Sequence, residues 1–171
     1  MRTPMSWEAY QALGETKHCE YYDGLAVVNP PSRRHVLIAR RLTRVLEDSV
    51  PGGYDVLPEF GWQPGPGTVF EPDVMVATTG SPAADLLRVP PLLVVEVTSP
   101  STRSEDLGRK LRAYAGGGAP WYWVADQETD VLTVYRNTGG RFVVDASGEP
   151  DARLELLVPF TVDLDLRAVF T

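Results

Sequence analysis

The chain has 171 residues, 43% of them hydrophobic, which suits one domain spanning residues 1–171 with a sizeable core. Its net charge of −7 argues against a nonspecific nucleic-acid-binding protein, which usually carries a basic surplus, but leaves room for a local basic site. One cysteine, Cys19, excludes an internal disulfide, and two histidines, His18 and His35, are too few for a zinc cluster. The N-terminus lacks a signal-peptide core and no apolar run is long enough to cross a membrane, so we expect a cytoplasmic protein.

The first fifty residues predict a short helix, a hairpin and a longer helix. Residues 7–13 carry apolar side chains at helical spacing and predict a lid-like helix. Asp23-Gly24 stands between extended apolar segments in residues 20–28, which is a strong hairpin signal. A helix is expected over residues 32–49, with the opening serine as its N-cap, and its apolar stripe places His35 at the start of the inward face.

The middle of the chain predicts short strands separated by proline and glycine. Pro72 lies inside one of these strands and predicts an irregularity in its ladder just before Asp73. The expected segments are strands at 54–57, 59–63 and 68–76, and a loop at 79–91 with a helical turn at 83–87.

Residues 92–126 are the stretch around which the fold is organised. They begin with an apolar, mostly β-branched run too short for a helix, which predicts a strand buried on both faces and interrupted by one carboxylate, Glu96. A β-α-β order with short loops follows, and it favours a parallel or mixed sheet with the helix packed across it. The expected elements are a strand at 92–97, a helix at 103–115 capped by Ser101 or Thr102, and a strand at 120–125.

The last part of the chain predicts a hairpin and a closing element. Residues 131–136 and 141–145 alternate around an Asn-Thr-Gly-Gly turn, and residues 154–170 offer a short strand and a final apolar segment. Together these patterns predict an α/β fold with a central mixed β-sheet flanked by helices and with additional β-hairpins.

Asp73 and Glu96 each interrupt an otherwise apolar strand, and neighbouring strands would bring both carboxylates to one place. A buried carboxylate is costly unless it is paired or binds a cation. Oxygen-only ligands favour hard cations such as Mg²⁺ or Mn²⁺, which bind with water and substrate phosphate. The alternative is that each carboxylate is separately hydrogen-bonded at the end of its strand.

Lys110 shares one helical face with Tyr114 and two leucines, so it is expected to face the sheet. A lysine in that position needs an anion, and Glu96 is a candidate partner. Beside a metal-bound water, the ammonium group would stabilise the charge that develops during attack on a phosphodiester. The alternative is a helix-surface pair with Asp106 four residues earlier, worth roughly 0.3–0.5 kcal/mol.

A family resemblance rests on these same residues. Pro72-Asp73, then Glu96-Val97-Thr98 at the end of a buried strand, then a helical lysine, resemble the PD-(D/E)XK nuclease superfamily. More narrowly, VEVTSPST followed by Asp106, Lys110, Tyr114 and then YWVAD resembles the Uma-two family of bacterial endonucleases. The pieces run in order over nearly the whole chain, and the resemblance implies a restriction-endonuclease-like fold.

The resemblance implies Asp73 and Glu96 as metal ligands, with the backbone carbonyl of Val97 as a further ligand. One position departs from the superfamily pattern, because Thr98 stands where its lysine would be, two residues after the glutamate. In related sequences the lysine lies on the following helix, which makes Lys110 the expected substitute.

The helix at 32–49 carries two further kinds of candidate. His35 is either a proton carrier or phosphate contact in the same cleft, or a hydrogen-bonded core residue. The arginines of this helix suit phosphate contact in an acidic protein, although a solvated helix face explains them equally well. The predicted nucleic-acid-binding residues are Arg33, Arg34 and Arg40.

These features predict a Mg²⁺-dependent endonuclease that hydrolyses phosphodiester bonds in DNA. A homodimer is expected because cutting both strands of a duplex needs two active sites, with residues 131–145 and the Trp121–Trp123 strand as its apolar seam. The rival predictions are a catalytically inactive nuclease-fold protein that binds a nucleic acid or a protein, and a dimerisation module whose acidic pair is a buried network. The predicted catalytic residues are Asp73, Glu96, Lys110 and His35.

Overall fold

The computed structural model describes residues 1–14, 19–80, 86–100 and 102–171, so His18, the expected cap Ser101 and most of the expected turn at 83–87 lie outside it. The helices are α1 (Trp7–Gln11), α2 (Arg33–Ser49), α3 (Leu111–Gly116), which directly follows a π-helical segment (Glu105–Lys110), and α4 (Leu166–Phe170). The strands are β1 (Arg2–Pro4), β2 (Glu20–Tyr22), β3 (Leu25–Val27), β4 (Tyr54–Pro58), β5 (Trp62–Gly65), β6 (Thr68–Phe70), β7 (Val74–Thr78), β8 (Leu93–Thr98), β9 (Trp121–Asp126), β10 (Val131–Asn137), β11 (Phe142–Gly148), β12 (Arg153–Leu156) and β13 (Val162–Asp165).

Among the described residues, a six-stranded mixed sheet forms the centre of the fold, in the order β11-β10-β9-β8-β7-β4. β8 and β9 run parallel, with Glu96 paired to Val124, and the other neighbouring strands run antiparallel. The chain passes from β8 to β9 through the π-helical segment and α3. The predicted β-α-β unit, the mixed sheet and the α/β class are therefore confirmed.

β8 and β9 are buried along their whole lengths, as expected for apolar strands packed on both faces. Leu93, Val95 and Val97 lie in the core cluster that contains α2, whereas Val94 lies in the cluster on the other face of the sheet. Because side chains alternate along a strand, Glu96 projects to the same face as Val94.

The α2 helix covers the first of these faces. Ser32 caps it by accepting a hydrogen bond of 3.2 Å from the backbone N–H of His35, which confirms the predicted start. Ile38, Leu42 and Leu46 are fully buried and follow the predicted apolar stripe. The hairpin of β12 and β13 and the short α4 complete this layer. His35 lies in the first turn of α2, at the edge of the core.

The other face is covered by the π-helical segment, by α3 and by a second sheet with the order β1-β3-β2-β6-β5. Large aromatic rings fill this layer: Tyr114 packs edge to face on both Phe70 and Tyr122, with ring centroids 5.4 Å apart in each pair. The predicted hairpin is confirmed here, since Asp23 and Gly24 have φ angles of 52° and 72°, as a tight turn between twisted strands requires.

The strand predicted over residues 68–76 is wrong in one respect, because the segment forms two strands in different sheets. β6 belongs to the second sheet and β7 to the central sheet. Pro72 lies in the break, and since proline has no backbone N–H the ladder does not continue through it. The chain therefore crosses from one sheet to the other at Asp73, immediately before β7 begins.

The short helix predicted over residues 7–13 is present as α1, and Tyr10, which is only 1% exposed, packs on Tyr21 with ring centroids 4.8 Å apart. One smaller prediction is wrong. The β9 strand cannot supply a dimer seam, because Trp121 and Trp123 are 9% and 0% exposed within the core of their own chain. In the part of the chain that the structure describes, no helix is long and apolar enough to cross a membrane.

Candidate active site

Asp73 stands where the chain enters the central sheet, and both of its carboxylate oxygens have partners. Its Oδ1 lies 2.7 Å from Nε2 of His35 on α2. Its Oδ2 accepts a hydrogen bond of 2.6 Å from the backbone N–H of Val97 on β8. The pairing of Val74 with Val95 explains this second contact, because it brings the start of β7 alongside the end of β8. Three predicted site residues therefore meet at this point.

Glu96 lies on the opposite face of β8 from Val97, and its side chain is only 4% exposed. Its Oε1 accepts hydrogen bonds from Nζ of Lys110 at 2.9 Å and from the hydroxyl of Tyr114 at 2.6 Å. Lys110 and Tyr114 are four residues apart on one helical face, which explains why both reach the same oxygen. The structure thus contains the expected contact between Lys110 and Glu96.

Lys110 is enclosed by carboxylates. Its Nζ lies 2.8 Å from Oε1 of Glu20, 2.9 Å from Oε1 of Glu96 and 3.7 Å from Oδ1 of Asp106. Burial alone would lower the pKa of Lys110, but the surrounding anionic groups, Glu96 foremost, raise that pKa well above its ordinary value. We therefore expect the ammonium group to remain charged at neutral pH.

The alternative of a helix-surface pair between Asp106 and Lys110 is wrong. Their side chains are 3% and 10% exposed, and the face that carries them packs against the sheet. The prediction treated this contact as solvent-screened, but a buried carboxylate beside a buried ammonium interacts in a much less polar medium.

Three residues at this site were not among the predicted catalytic or metal-binding residues: Glu20, Asp106 and Tyr114. Glu20 precedes two tyrosines in a short strand, and its contact with Lys110 joins segments far apart in sequence, so no local pattern announces it. Asp106, Lys110 and Tyr114 recur every four residues, and this spacing was a usable signal for a polar track on the inward helical face.

A cavity of about 370 Å³ borders these residues. Among the described residues that line it, six carboxylates face one lysine and one histidine. Burial raises the pKa of Glu96 well above its ordinary value; Lys110 opposes this shift and the neighbouring carboxylates reinforce it. A lining of this kind attracts cations and repels a phosphate group that arrives without them. The acidic lining residues are Glu20, Glu59, Glu71, Asp73, Glu96 and Asp106.

His35 links α2 to this cavity. Burial lowers the pKa of His35, but the hydrogen bond and the charge of Asp73 outweigh burial, so the pKa lies above its ordinary value. The side chain is 17% exposed and also lines the cavity. His35 is therefore a hydrogen-bonded partner of Asp73 that keeps access to the cleft.

The residues present fit a hard divalent cation held together with water. The described residues contain no group of three or more His, Cys, Asp or Glu side chains at metal-binding distances. Such a group is not required, since Mg²⁺ keeps several waters and usually binds through one or two carboxylates. Asp73, immediately before β7, and Glu96 on the adjoining β8 supply carboxylate oxygens. In addition, one buried oxygen in the lining, Oδ2 of Asp106, has no hydrogen-bond partner among the described residues.

The predicted nucleic-acid-binding arginines are all exposed on α2. Arg34 donates hydrogen bonds to Asp130 at 2.6 Å and to the backbone carbonyl of Phe170 at 3.4 Å, so it ties α2 to neighbouring segments. Arg33 and Arg40 are seven residues apart and share the outer side of the helix, opposite His35. Their role in nucleic-acid binding stays a prediction.

The fold is similar to that of a solved protein described as a nuclease. A crystal structure from Anabaena variabilis ATCC 29413, described as a "putative nuclease belonging to DUF820", matches with a TM-score of 0.78 at 20% identity and covers 98% of both chains. The sequence model of the Uma2 family, described as "Putative restriction endonuclease", matches residues 7–167. The chain belongs to the Uma2 family, which confirms the resemblance of its motifs. No curated protein matches it.

Proposed function

We propose that this protein is a divalent-metal-dependent endonuclease that hydrolyses phosphodiester bonds in DNA. The family to which it belongs is described as "Putative restriction endonuclease", and its structural neighbour is described as a "putative nuclease". One observation carries the proposal: Asp73, immediately before β7, and Glu96 on β8 line one acidic cavity together with a buried lysine. Paired carboxylates beside a fixed cation are suited to phosphodiester hydrolysis.

The metal site proposed here consists of Asp73, Glu96 and the backbone carbonyl of Val97. The N–H of Val97 already points to Asp73, and the N–H and C=O of one strand residue project to the same side of the strand. The Val97 carbonyl is therefore on the side of β8 where Asp73 lies. Mg²⁺ or Mn²⁺ bound there would polarise the phosphate and make a water molecule a better nucleophile at neutral pH.

Lys110 has the role of stabilising negative charge on the phosphate. Glu20 and Glu96 hold its ammonium group from two sides, so it is positioned before the substrate arrives and needs little reorganisation. His35 orients the Asp73 carboxylate through the contact at Oδ1 and can hold or release a proton at the edge of the cavity. Thr98, at the usual lysine position, has no charge to offer.

The substrate and assembly follow from the same proposal. An enzyme that cuts both strands of duplex DNA needs two active sites, so we expect a homodimer. We also expect the protein to act in the cytoplasm. Residues 131–145 remain a candidate seam, since Val143 and Val144 are 43% and 61% exposed. The exposed arginines Arg33 and Arg40 are the expected contacts to the DNA backbone.

A second candidate function is a catalytically inactive nuclease-fold protein that binds a nucleic acid or a protein. The observation that favours it is that Asp73 and Glu96 already have protein partners. These are His35 and Val97 for Asp73, and Lys110 and Tyr114 for Glu96. In an inactive protein this network would serve only to stabilise the core.

The experiment that separates these functions is a cleavage assay on single-stranded, linear duplex and supercoiled DNA. The active enzyme should cut at least one form with Mg²⁺ or Mn²⁺ and none with a chelator present. Asp73→Ala should remove the activity, whereas Glu59→Gln, which removes one charge at an exposed position of the cavity lining, should retain it. Parent protein that cuts no DNA form with either metal supports the binding module.

A further inference from the structure

Asp106 has an unusual environment for a carboxylate. Its side chain is 3% exposed and lines the cavity, yet its Oδ2 oxygen has no hydrogen-bond partner among the described residues. Buried polar atoms in native proteins are nearly always satisfied, and an exception points to a function or to a bound water or ion. The other oxygen, Oδ1, is 3.7 Å from Nζ of Lys110, which is longer than a hydrogen bond.

The neighbouring lysine does not account for Asp106. Lys110 already has close partners in Glu20 and Glu96, at 2.8 and 2.9 Å, so its charge is compensated without a third carboxylate. Burial raises the pKa of Asp106; the charge of Lys110 and side-chain hydrogen bonds with Thr102 and Thr98 oppose this shift. An ionised Asp106 is therefore a cost to the fold rather than a contribution to it.

The backbone around Asp106 is also unusual. Residues Glu105–Lys110 form a π-helical segment, which is rare and occurs frequently at functional sites. The segment puts Asp106 on the inward face with Lys110, whose ammonium group also contacts Glu96. Asp106 is thus held at the cavity by a distinct backbone conformation and by burial, while its Oδ2 accepts no hydrogen bond from the described residues.

We propose that Asp106 is an outer binding group of the cation site: its Oδ2 accepts a hydrogen bond from a water molecule that a divalent cation keeps when Asp73 and Glu96 hold it. This inference rests on the proposed function. Hard cations such as Mg²⁺ retain several waters, and these waters need acceptors in a closed site. The cavity of about 370 Å³ has room for several waters, which occupy roughly 30 Å³ each in the liquid.

The test is calorimetric titration of Mn²⁺ into the parent protein, Asp106→Asn and Glu59→Gln. Partners that orient a metal site from outside typically change affinity by about 10- to 100-fold, so Asp106→Asn should bind Mn²⁺ that much more weakly. Glu59→Gln makes the same charge change at an exposed position of the cavity lining, and solvent and salt screen it, so its affinity should change by less than about threefold. Thermal unfolding in chelator provides the second readout, and there Asp106→Asn should be at least as stable as the parent.

Each outcome decides the inference. Equal Mn²⁺ affinity of Asp106→Asn and parent overturns it while the proposed function stands. Equal weakening in Asp106→Asn and Glu59→Gln also overturns it, because only the net charge would then matter. Marked destabilisation of Asp106→Asn in chelator, or its failure to fold, overturns the inference and assigns Asp106 a structural role. Thermal unfolding of Asp106→Ser, which has a smaller side chain, checks that result. If the parent itself binds no Mn²⁺, the proposed function fails and the inference falls with it.

Discussion

Replacing Lys110 with methionine should destabilise the protein strongly in the absence of a divalent cation. The substitution keeps most of the side-chain volume but leaves Glu20 and Glu96 facing each other in a buried site without their shared ammonium group. Removing one partner of a buried ion pair typically costs about 3–5 kcal/mol. For a chain of this size each kcal/mol shifts the melting temperature by about 2–4 °C, so a decrease of roughly 6–20 °C is expected.

Thermal unfolding of four proteins measures this effect: the parent, Lys110→Met, Glu96→Gln and the double variant. Neutralising Glu96 removes the charge that Lys110→Met leaves uncompensated, so the double variant should be more stable than the sum of the single effects predicts. Mn²⁺ should restore part of the stability of Lys110→Met by occupying the vacated charge position. DNA cleavage, measured well below the melting temperature, should fall by roughly 10²–10³-fold.

Two results would refute this reasoning. A loss of less than about 1 kcal/mol in Lys110→Met would mean that water screens the site and that the buried network does not exist in solution. Additive effects in the double variant would mean that Lys110 and Glu96 do not interact.

Three further outcomes test other parts of the account. Gly117→Ala should destabilise by roughly 1–3 kcal/mol in thermal unfolding, because a Cβ would lie 2.6 Å from Cβ of Pro64, whereas Gly116→Ala meets nothing within 4 Å and should not destabilise. Arg33→Gln combined with Arg40→Gln should weaken binding to all DNA sequences and reduce the slope of log affinity against log salt by about 1 per arginine; an unchanged slope would mean a solvated helix face. Light scattering at micromolar concentration should give the mass of two chains, and the mass of one chain would refute the predicted homodimer.

The elements that the sequence predicted correctly have local signals. The α2 helix shows a capping serine and an apolar stripe, and the hairpin at residues 20–28 has an Asp-Gly turn. β8 reads as a buried strand because its apolar run is too short for a helix. Each of these signals depends on residues a few positions apart, where steric preference and periodicity act directly.

The parts that sequence reasoning missed depend on contacts between distant segments. Pro72 was placed within one strand, but only the tertiary fold shows that β6 and β7 enter different sheets on either side of it. Trp121 and Trp123 were proposed as part of a dimer seam, yet the packing of α2 and the C-terminal hairpin buries them in the core of their own chain. Periodicity identifies an apolar face without identifying what covers it.

Some residues of the candidate site could be predicted from the sequence, and others could not. Asp73 and Glu96 stood out because a carboxylate in an apolar strand is costly, and the family resemblance supplied Val97 and the substitute lysine. Glu20 was missed because its partner, Lys110, is far away along the sequence, and only the tertiary fold brings the two residues together. Asp106 was considered only as a surface partner of Lys110, and its burial within a π-helical segment was not predicted.

The central claim is that Asp73 and Glu96 together hold a divalent cation, and calorimetric titration of Mn²⁺ tests it most directly. The parent protein should bind Mn²⁺, and the double variant Asp73→Ala/Glu96→Ala, verified as folded by its thermal transition, should show no binding at that site. Mn²⁺ binding by the double variant with the affinity of the parent would contradict the account and place any cation site elsewhere in the protein.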